Sequence, residues 1–542
     1  MDRREPVRSM PLLAATGEAL AWLRARVPAG ATLRIDSRQV GPGDAFIAWP
    51  GAAADGRAHV RDAVARGAAA CLVEHAGAER FDFGDSEVAA VAGLKAATGP
   101  LADAWFGHPS RELELLAVTG TNGKTSTAWW LAQALTLLSK EEQGTQSGCA
   151  VIGTLGTGIP PADVVANGLT TPDPVLLHRE LRRFADAGLG ACAIEASSIG
   201  IAEHRLDGCR IRTALFTNFT HDHLDYHGSM DAYWRAKEAL FGWDGLRAAV
   251  VNVDDPAGAA LARRLAQAGA LDLWTVSCAA GGAEGGPDGA APDAPAARLR
   301  ARDIAWAGGG LRCVLEERPA PGEGGSPRTA VLQAPVIGRY NVSNLLGVVG
   351  ALRARGVPLA DAARACAALA PVPGRLECAT APGAPLVAVD YAHTPDALVQ
   401  VLEALRPLAA ERGGRLTCVF GCGGGRDPAK RPRMAEAALR GADRVVVTTD
   451  NPRHEAPQAI VDQVLQGAAG AGPDRLRVRI DRADAIARTL AEAAPQDVVL
   501  VAGKGHEDYQ DIAGARHPFS DMAQVRAALA RRRDAGLPDI AA

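Results

Sequence analysis

Leu113-Glu-Leu-Leu-Ala-Val-Thr-Gly-Thr-Asn-Gly-Lys-Thr-Ser126 is the stretch from which the rest of this chain is read. An apolar run of strand length ends at Thr119, and apolar residues at helical spacing follow from Thr125 to about Leu138. Strand, glycine turn and helix form the setting in which a loop cradles phosphate. Gly120 and Gly123 let the backbone wrap closely, so that the N–H groups from Thr121 to Ser126 converge on phosphate oxygens. The start of the helix adds its positive end. Lys124 is the side chain to reach the β- and γ-phosphates, and Thr125 carries the hydroxyl for Mg²⁺. The common form of this loop has its first glycine five residues before the second, where this chain has Val118. The loop is therefore a short variant, set apart from motor ATPases and GTPases. A strand–turn–helix corner with an incidental lysine is the plain alternative, and the agreement of strand, glycines, Lys and Thr argues against it.

Outward from that loop, 542 residues are too many for one hydrophobic core, and three domains are expected. The first, residues 1–111, alternates short strands and a helix: Arg34–Val40, Pro42–Ala48, a helix Val60–Ala70 and a strand Cys71–Val73. The second, 112–370, continues the phosphate-loop sheet with strands at Ala191–Glu195, Thr213–Thr217 and Ala248–Val253, in parallel-sheet rhythm. Within it, the Gly/Ala/Pro-rich stretch 279–327 is expected to be a loop insertion with short strands at Leu299–Ile304 and Leu311–Leu315. The third domain, 371–542, has apolar runs Leu386–Val389, Leu416–Phe420, Val445–Thr448 and Val498–Ala502, each followed by a turn and a helical pattern. That is the rhythm of a second open α/β sheet, like a dinucleotide-binding fold. Ligands in such sheets sit beyond the carboxyl ends of the strands, where this chain places Asp390-Tyr-Ala-His393, Gly421-Cys-Gly-Gly-Gly-Arg426, Asp450-Asn-Pro-Arg453 and Gly503-Lys-Gly-His-Glu507.

Composition narrows the function classes. A net charge of −4 with interleaved signs builds no basic face for nucleic acid. The ten cysteines form no pair of CxxC knuckles, so free thiols in a reducing compartment are expected, and not zinc. The apolar stretch Met10–Val27 is broken by Pro11, Glu18 and Arg24, unlike a signal peptide, and no apolar run is long enough to span a bilayer. A cytoplasmic protein without membrane or nucleic-acid partners is the expectation.

The loop Gly120-Thr-Asn-Gly-Lys-Thr-Ser126 resembles the ATP loop of the Mur ligases, cytoplasmic enzymes of peptidoglycan synthesis, and the likeness extends over nearly the whole chain outside the Gly/Ala-rich stretch. The resemblance implies three α/β domains for UDP binding, ATP hydrolysis and binding of the incoming amino acid, working as a monomer on small molecules. It implies that ATP phosphorylates a carboxylate and that an amine then attacks the acyl phosphate. Asp36-Ser-Arg38, Gly41-Pro-Gly-Asp44 and Asp55-Gly-Arg57 look like the uridine region, with Ser37 as a contact. Leu169-Thr-Thr-Pro172 and Glu195-Ala-Ser-Ser198 look like the muramoyl-peptide side, with Thr170, Thr171, Ser197 and Arg205 as contacts and Glu195 at Mg²⁺. Three histidines lie within Phe216-Thr-Asn-Phe-Thr-His-Asp-His-Leu-Asp-Tyr-His-Gly228, a density that also suits zinc. A phosphate substrate and oxygen-rich surroundings favour a hard cation. By resemblance His223 stands beside a second Mg²⁺, while His221 and His227 are structural. By resemblance too, Lys237 is carbamylated, which turns a cation into an anionic magnesium ligand. Asn341 would face the adenine side, and Arg375 and Asp390 would reach ATP from the third domain.

Asp450-Asn-Pro-Arg453 speaks to the amino acid added. Meso-diaminopimelate is a lysine with a second carboxylate at its far end, and a guanidinium holds a carboxylate through two parallel hydrogen bonds. Arg453 supplies one; Arg426, Asp450, Asn451, Pro452, Gly503 and Glu507 fit the rest of the pocket. As a plain β-turn, Asn-Pro would need no ligand. The implied reaction joins diaminopimelate to a UDP-linked muramoyl dipeptide with ATP and Mg²⁺. The alternatives are a lysine-adding member of the family, or a ligase of the folate or cyanophycin type.

Overall fold

The computed structural model describes residues 10–51, 54–84, 87–141, 148–279, 296–307, 310–320, 322 and 324–534. The chain divides into two compact units. One takes Met1–Thr119, Leu135–Ala214 and Trp234–Ala248; the other takes Gly120–Ala134, Leu215–Tyr233 and Ala249–Ala542.

In the first unit, five strands lie in the order Leu12–Leu13, Val88–Val91, Ala70–Glu74, Ala45–Ala48 and Leu33–Arg34, each pair parallel. Side chains alternate across such a sheet. Ala45 and Ile47 join Leu23, Leu72 and Leu94 on one face, while Phe46 and Ala48 join Val60, Cys71 and Val73 on the other. Both faces are covered, as parallel strands require. The expected strand Arg34–Val40 stops at Arg34. The Asp36 carboxylate accepts the Arg38 N–H at 3.0 Å and folds Ser37–Gln39 into a 3₁₀ turn. This local side-chain bond replaces a ladder bond. The same unit carries Glu114–Thr119, Ala191–Glu195 and Cys149–Gly153 as parallel neighbours, with Leu116 opposite Ala193 and Ala193 opposite Val151. Gly156–Ile159 and Asp163–Val165 extend this run in antiparallel fashion.

In the second unit, Ala248–Asn252 is followed in the sheet by Asp272–Ser277 and then by Leu299–Ala307, Gly310–Glu317 and Arg328–Ala334. The last three pair antiparallel. Both strands expected within 279–327 are present and longer than expected, and with Arg328–Ala334, just beyond that stretch, they form a three-stranded β-meander. Residues 280–295 of the expected insertion lie outside the described residues.

The remaining sheet of this unit runs Glu377–Ala379, Leu386–Asp390, Val498–Ala502, Leu416–Cys422, Arg444–Thr449 and Leu476–Val478. All pairs are parallel except the first. Val387, Val389, Val419, Val446, Val499 and Val501 fill one core; Ala388, Cys418, Phe420, Val445, Val447 and Leu500 fill the other. Burial on both faces explains the uninterrupted apolar runs of the sequence. One expectation fails here: Val498–Ala502 does not lead directly to a helix. A hairpin of Tyr509–Ile512 and Ala515–Pro518 precedes the helix Asp521–Asp534. The hairpin is tied to a neighbouring loop, because Arg453 donates its N–H to Asp511 O and accepts that of Ala513. Among the described residues no helix is long and apolar enough to cross a membrane.

Candidate active site

The phosphate loop is built from contacts that tolerate nothing larger than glycine. Gly120 (φ +143°) and Gly123 (φ +83°) adopt backbone angles that side chains disfavour. A Cβ on Gly120 would collide with the Thr217 hydroxyl, and one on Gly123 with the Asn344 amide oxygen. Thr217 and Asn218, just past the strand Ile211–Phe216, grip the loop. The Thr217 hydroxyl donates to Asn122 O at 2.6 Å, and Asn218 accepts the Asn122 N–H at 2.8 Å. Thr121 donates to Thr220 O at 3.2 Å and lies 3.1 Å from the Tyr233 hydroxyl. Lys124 folds over the loop, with Nζ 2.8 Å from Gly120 O and 2.9 Å from Thr121 O. Its ammonium thus stands at the mouth of the N–H cradle, and the helix Lys124–Glu141 starts there, as expected. Thr125 and Ser126 are buried.

Three other ATP-side residues fall in the same unit. The Asn341 amide donates to Ile337 O at 2.8 Å and accepts from Asn344 at 3.0 Å. Asn341 therefore holds Asn344, and it is Asn344 that touches the loop. Arg375 donates to the Thr125 hydroxyl at 3.1 Å and stacks 4.6 Å above the Tyr391 ring. Asp390 is buried and turned to its own backbone, accepting the N–H groups of Leu376 at 2.8 Å and Ala392 at 2.7 Å. Burial pushes its carboxyl up, opposed by Arg375 and those two donors. As placed, Asp390 positions the Arg375 segment.

His223 sits in the left-handed region (φ +52°), opening the short turn Leu224–His227, with its ring edge-on to Tyr233 at 5.9 Å. His227 packs on Tyr226 and Tyr233, as a structural histidine does. His221 is exposed.

In the other unit, the strand Ala191–Glu195 delivers Glu195 with 1% exposure. The Thr154 N–H donates to its Oε1 at 2.7 Å and the Thr154 hydroxyl to its Oε2 at 3.2 Å. That hydroxyl also meets Thr170 at 3.0 Å, which links the carboxylate to the Thr170–Thr171 loop. Thr171 is fully buried: its hydroxyl donates to Glu195 O at 2.7 Å, accepts the Ser197 N–H, and its carbonyl accepts from Arg205 at 2.9 Å. Thr171 shapes the loop, leaving the half-buried Thr170 and Ser197 at its surface. Lys237, on the helix Met230–Glu238, is 1% exposed. Surface lysines keep their ammonium in water; this one is buried. Ser37 lies in the 3₁₀ turn after Asp36, and Arg57 reaches back to Glu74 O and Ala76 O, so the uridine-like segments form a self-bonded loop cluster.

The residues expected to bind the amino acid converge beyond the carboxyl ends of the six-stranded sheet. Asn451 donates to Glu507 Oε2 at 2.8 Å, and Lys504 bridges both, to Asn451 Oδ1 at 3.0 Å and Glu507 Oε2 at 2.8 Å. Gly503 (φ +118°) comes so close to Asp450 that a Cβ would meet its Oδ2 at 2.6 Å. Arg453 (φ +51°) donates to Gly424 O at 2.5 Å, and Pro452 is buried behind it. Arg426 is exposed at the rim. Arg482 and Asp521 form a fully buried bidentate pair, both bonds 2.7 Å, whose guanidinium also donates to Thr449 O and Ala502 O. It braces the two strand ends that carry Asp450 and Gly503.

The sequence pattern assigns no role to Thr154, Asn218, Asn344, Lys504, Arg482 or Asp521. Asn218 and Lys504 were within reach of it, since both follow a parallel strand's carboxyl end; the others carry no local signal. Among the described residues no three His, Cys, Asp or Glu side chains cluster. Thr125 in one unit offers a hydroxyl and Glu195 in the other a carboxylate, oxygen donors of the kind hard cations take.

Known proteins place the chain. The Mur ligase middle domain matches residues 118–352, the Mur ligase glutamate ligase domain 374–505, and the Mur ligase family catalytic domain 31–98. The chain belongs to the Mur ligase family. It is 62% identical over 515 residues to the UDP-N-acetylmuramoyl-L-alanyl-D-glutamate–2,6-diaminopimelate ligase of Acidovorax sp. strain JS42, covering 95% of this chain and 97% of the relative. It is 44% identical to the enzyme of the same name from Janthinobacterium sp. strain Marseille, over 96% and 99% of the two chains. A solved structure of a ligase of that name is 33% identical, with a TM-score of 0.61 over 93% of this chain and 95% of that one.

Proposed function

We propose that this chain adds meso-2,6-diaminopimelate to UDP-N-acetylmuramoyl-L-alanyl-D-glutamate in an ATP-dependent, ADP-forming reaction of peptidoglycan precursor synthesis. The observation that carries this reading is the conjunction, in one chain, of the glycine cradle under Lys124 with the Asp450–Arg453 pocket.

The loop Gly120–Ser126 binds the triphosphate through its N–H groups, and Lys124 leaves its carbonyl partners to meet the γ-phosphate. Asn341 holds the adenine side and Arg375 the phosphates. Ser37 contacts uridine; Thr170, Thr171, Ser197 and Arg205 seat the acidic dipeptide, Thr171 from beneath. The γ-carboxylate of D-glutamate attacks the γ-phosphorus, and the bond to ADP breaks. The neutral amine of diaminopimelate then attacks the acyl carbon, and phosphate leaves. Mg²⁺ supplies charge neutralisation between carboxylate and triphosphate, and Thr125, Glu195, His223 and a carbamylated Lys237 are the residues that would hold it. Positioning and electrostatics do most of the work, as in phosphoryl transfer generally. Arg453 and Arg426 bind carboxylates of the incoming amino acid; Asp450, Asn451 and Glu507 face its distal ammonium, with Pro452 and Gly503 shaping the wall. The domain limits 1–111, 112–370 and 371–542 belong to the proposal, each containing one family match. So does a cytoplasmic monomer acting on small molecules alone.

The test is ADP release and product mass with Mg·ATP, the UDP-linked dipeptide and either meso-diaminopimelate or L-lysine. Turnover with diaminopimelate that Arg453→Ala weakens is expected. A wild-type preference for lysine would sink the assignment of Arg453, and no turnover with either would sink the substrate.

A further inference from the structure

Beneath the amino-acid pocket lies a charged pair that the mechanism does not use. The Arg431 side chain is 1% exposed on the helix Lys430–Gly441. It donates through Nη1 to Glu455 Oε2 at 2.8 Å and Gln463 Oε1 at 2.7 Å, and through Nη2 to Glu455 Oε1 at 2.9 Å and Gly423 O at 3.1 Å. Glu455 Oε1 accepts the Gly425 N–H as well, at 2.6 Å. One ion pair thereby touches the glycine loop Gly421–Arg426 at Gly423 and Gly425, and Glu455 itself lies two residues past Arg453.

The two loops are also stitched directly. Gly424 donates to Asn451 O at 2.9 Å, and a Cβ on Gly424 would run into Pro452 O. Glu455 returns its own N–H to Pro452 O at 3.0 Å. The Arg453 guanidinium rests on Gly424 O at 2.5 Å, with its backbone in the left-handed region that a bulky residue adopts only when its surroundings impose it. Gly424 is thus the seat of Arg453, and Gly423 and Gly425, which flank that seat, are the two residues the pair holds. Arg431 is buried while the Glu455 side chain is 37% exposed; such a half-exposed pair adds little net stability, and a positional role is then the better account of it.

We infer that Arg431 and Glu455 are positioning residues for substrate selection: they fix the glycine loop so that Arg453 presents its remaining N–H groups to the distal carboxylate of the incoming diamino acid. The inference rests on the proposed function, in which Arg453 reads that carboxylate. A guanidinium displaced by an ångström keeps its charge and loses the paired geometry on which discrimination depends.

Steady-state kinetics of the full chain, with each of the three substrates varied in turn, test this. The variants are Glu455→Gln, Arg431→Lys and the double variant Arg431→Met/Glu455→Leu, which leaves no buried orphan charge and so guards against simple misfolding. The expected result is a KM for diaminopimelate raised at least about tenfold, with KM for ATP and for the UDP-linked dipeptide within about twofold. Preference for diaminopimelate over lysine should fall alongside, while the thermal midpoint of the double variant stays near that of the parent. A folded variant with parental KM and preference overturns the inference. So does a uniform change in all three KM values, since that marks a structural role only. Failure of the parent reading looks different: the unaltered protein would then show no preference for diaminopimelate.

Discussion

The proposed phosphate loop and the proposed amino-acid pocket both lie past the carboxyl ends of parallel strands, yet they are built in opposite ways. The loop is one heptapeptide whose own N–H groups form the site, with Thr217, Asn218 and Asn344 packed so tightly that only glycine fits. The pocket draws on segments from Gly421 to Asp511, and its groups are held by side chains: Lys504 between Asn451 and Glu507, Arg431 on Glu455, Arg482 on Asp521. A backbone site is specified where it stands. A side-chain site is specified by whatever orients each member.

That contrast is open to attack. If the loop works through its cradle and Lys124, then Lys124→Ala lowers kcat on the order of 10²–10³-fold or more, and ADP release falls with product in the same assay. Equal loss from pocket variants would erase the distinction. For the pocket, the buried pair comes next. Arg482→Met leaves the Asp521 carboxylate without its partner and costs about 3–5 kcal/mol of stability, read as a lowered denaturant midpoint; an unchanged midpoint would show that the strand ends need no brace. Arg453→Ala should reduce preference for diaminopimelate over lysine by about 10–100-fold, the worth of lost charge-assisted bonds, while KM for ATP holds. The smallest effect concerns pH. Burial, reinforced by Lys430, lowers His393 to about 4, and burial with Arg375 and Lys504 lowers His506 to about 3. Unfolded histidine titrates near about 6.5. Between those values the unfolded chain binds the extra protons, so stability falls as pH drops from about 6.5 toward 4. Unfolding followed by urea at stepped pH checks this, and His506→Asn should flatten the slope.

Reading the sequence went furthest where chemistry is local. Gly120, Gly123 and Lys124 announce themselves by spacing, and Val498–Ala502 and Ala191–Glu195 by uninterrupted apolar runs of buried parallel strands. It went astray where a side chain overruled the pattern, as when Asp36 turned an expected strand into a 3₁₀ turn. It also underrated Arg328–Ala334, whose strand exists because it has a partner in Gly310–Glu317. Partners within the site were not legible for the same reason: Asp390 and Thr171 bond to the chain's own backbone, and Asn344, which donates to Asn341, lies against Gly123.

By itself, then, the sequence determined the phosphate loop, the three-part α/β plan and the polar clusters at the strand ends, because backbone angles, helix and strand periods and turn chemistry act over a few residues. Only the tertiary structure decided which of those polar groups bond to the chain itself, and which charged side chains, Arg431 and Arg482 among them, tie loops and strand ends together. Hydrogen bonds between residues 431 and 455, or 482 and 521, depend on the packing of whole helices and strands, and no short window of sequence contains both partners.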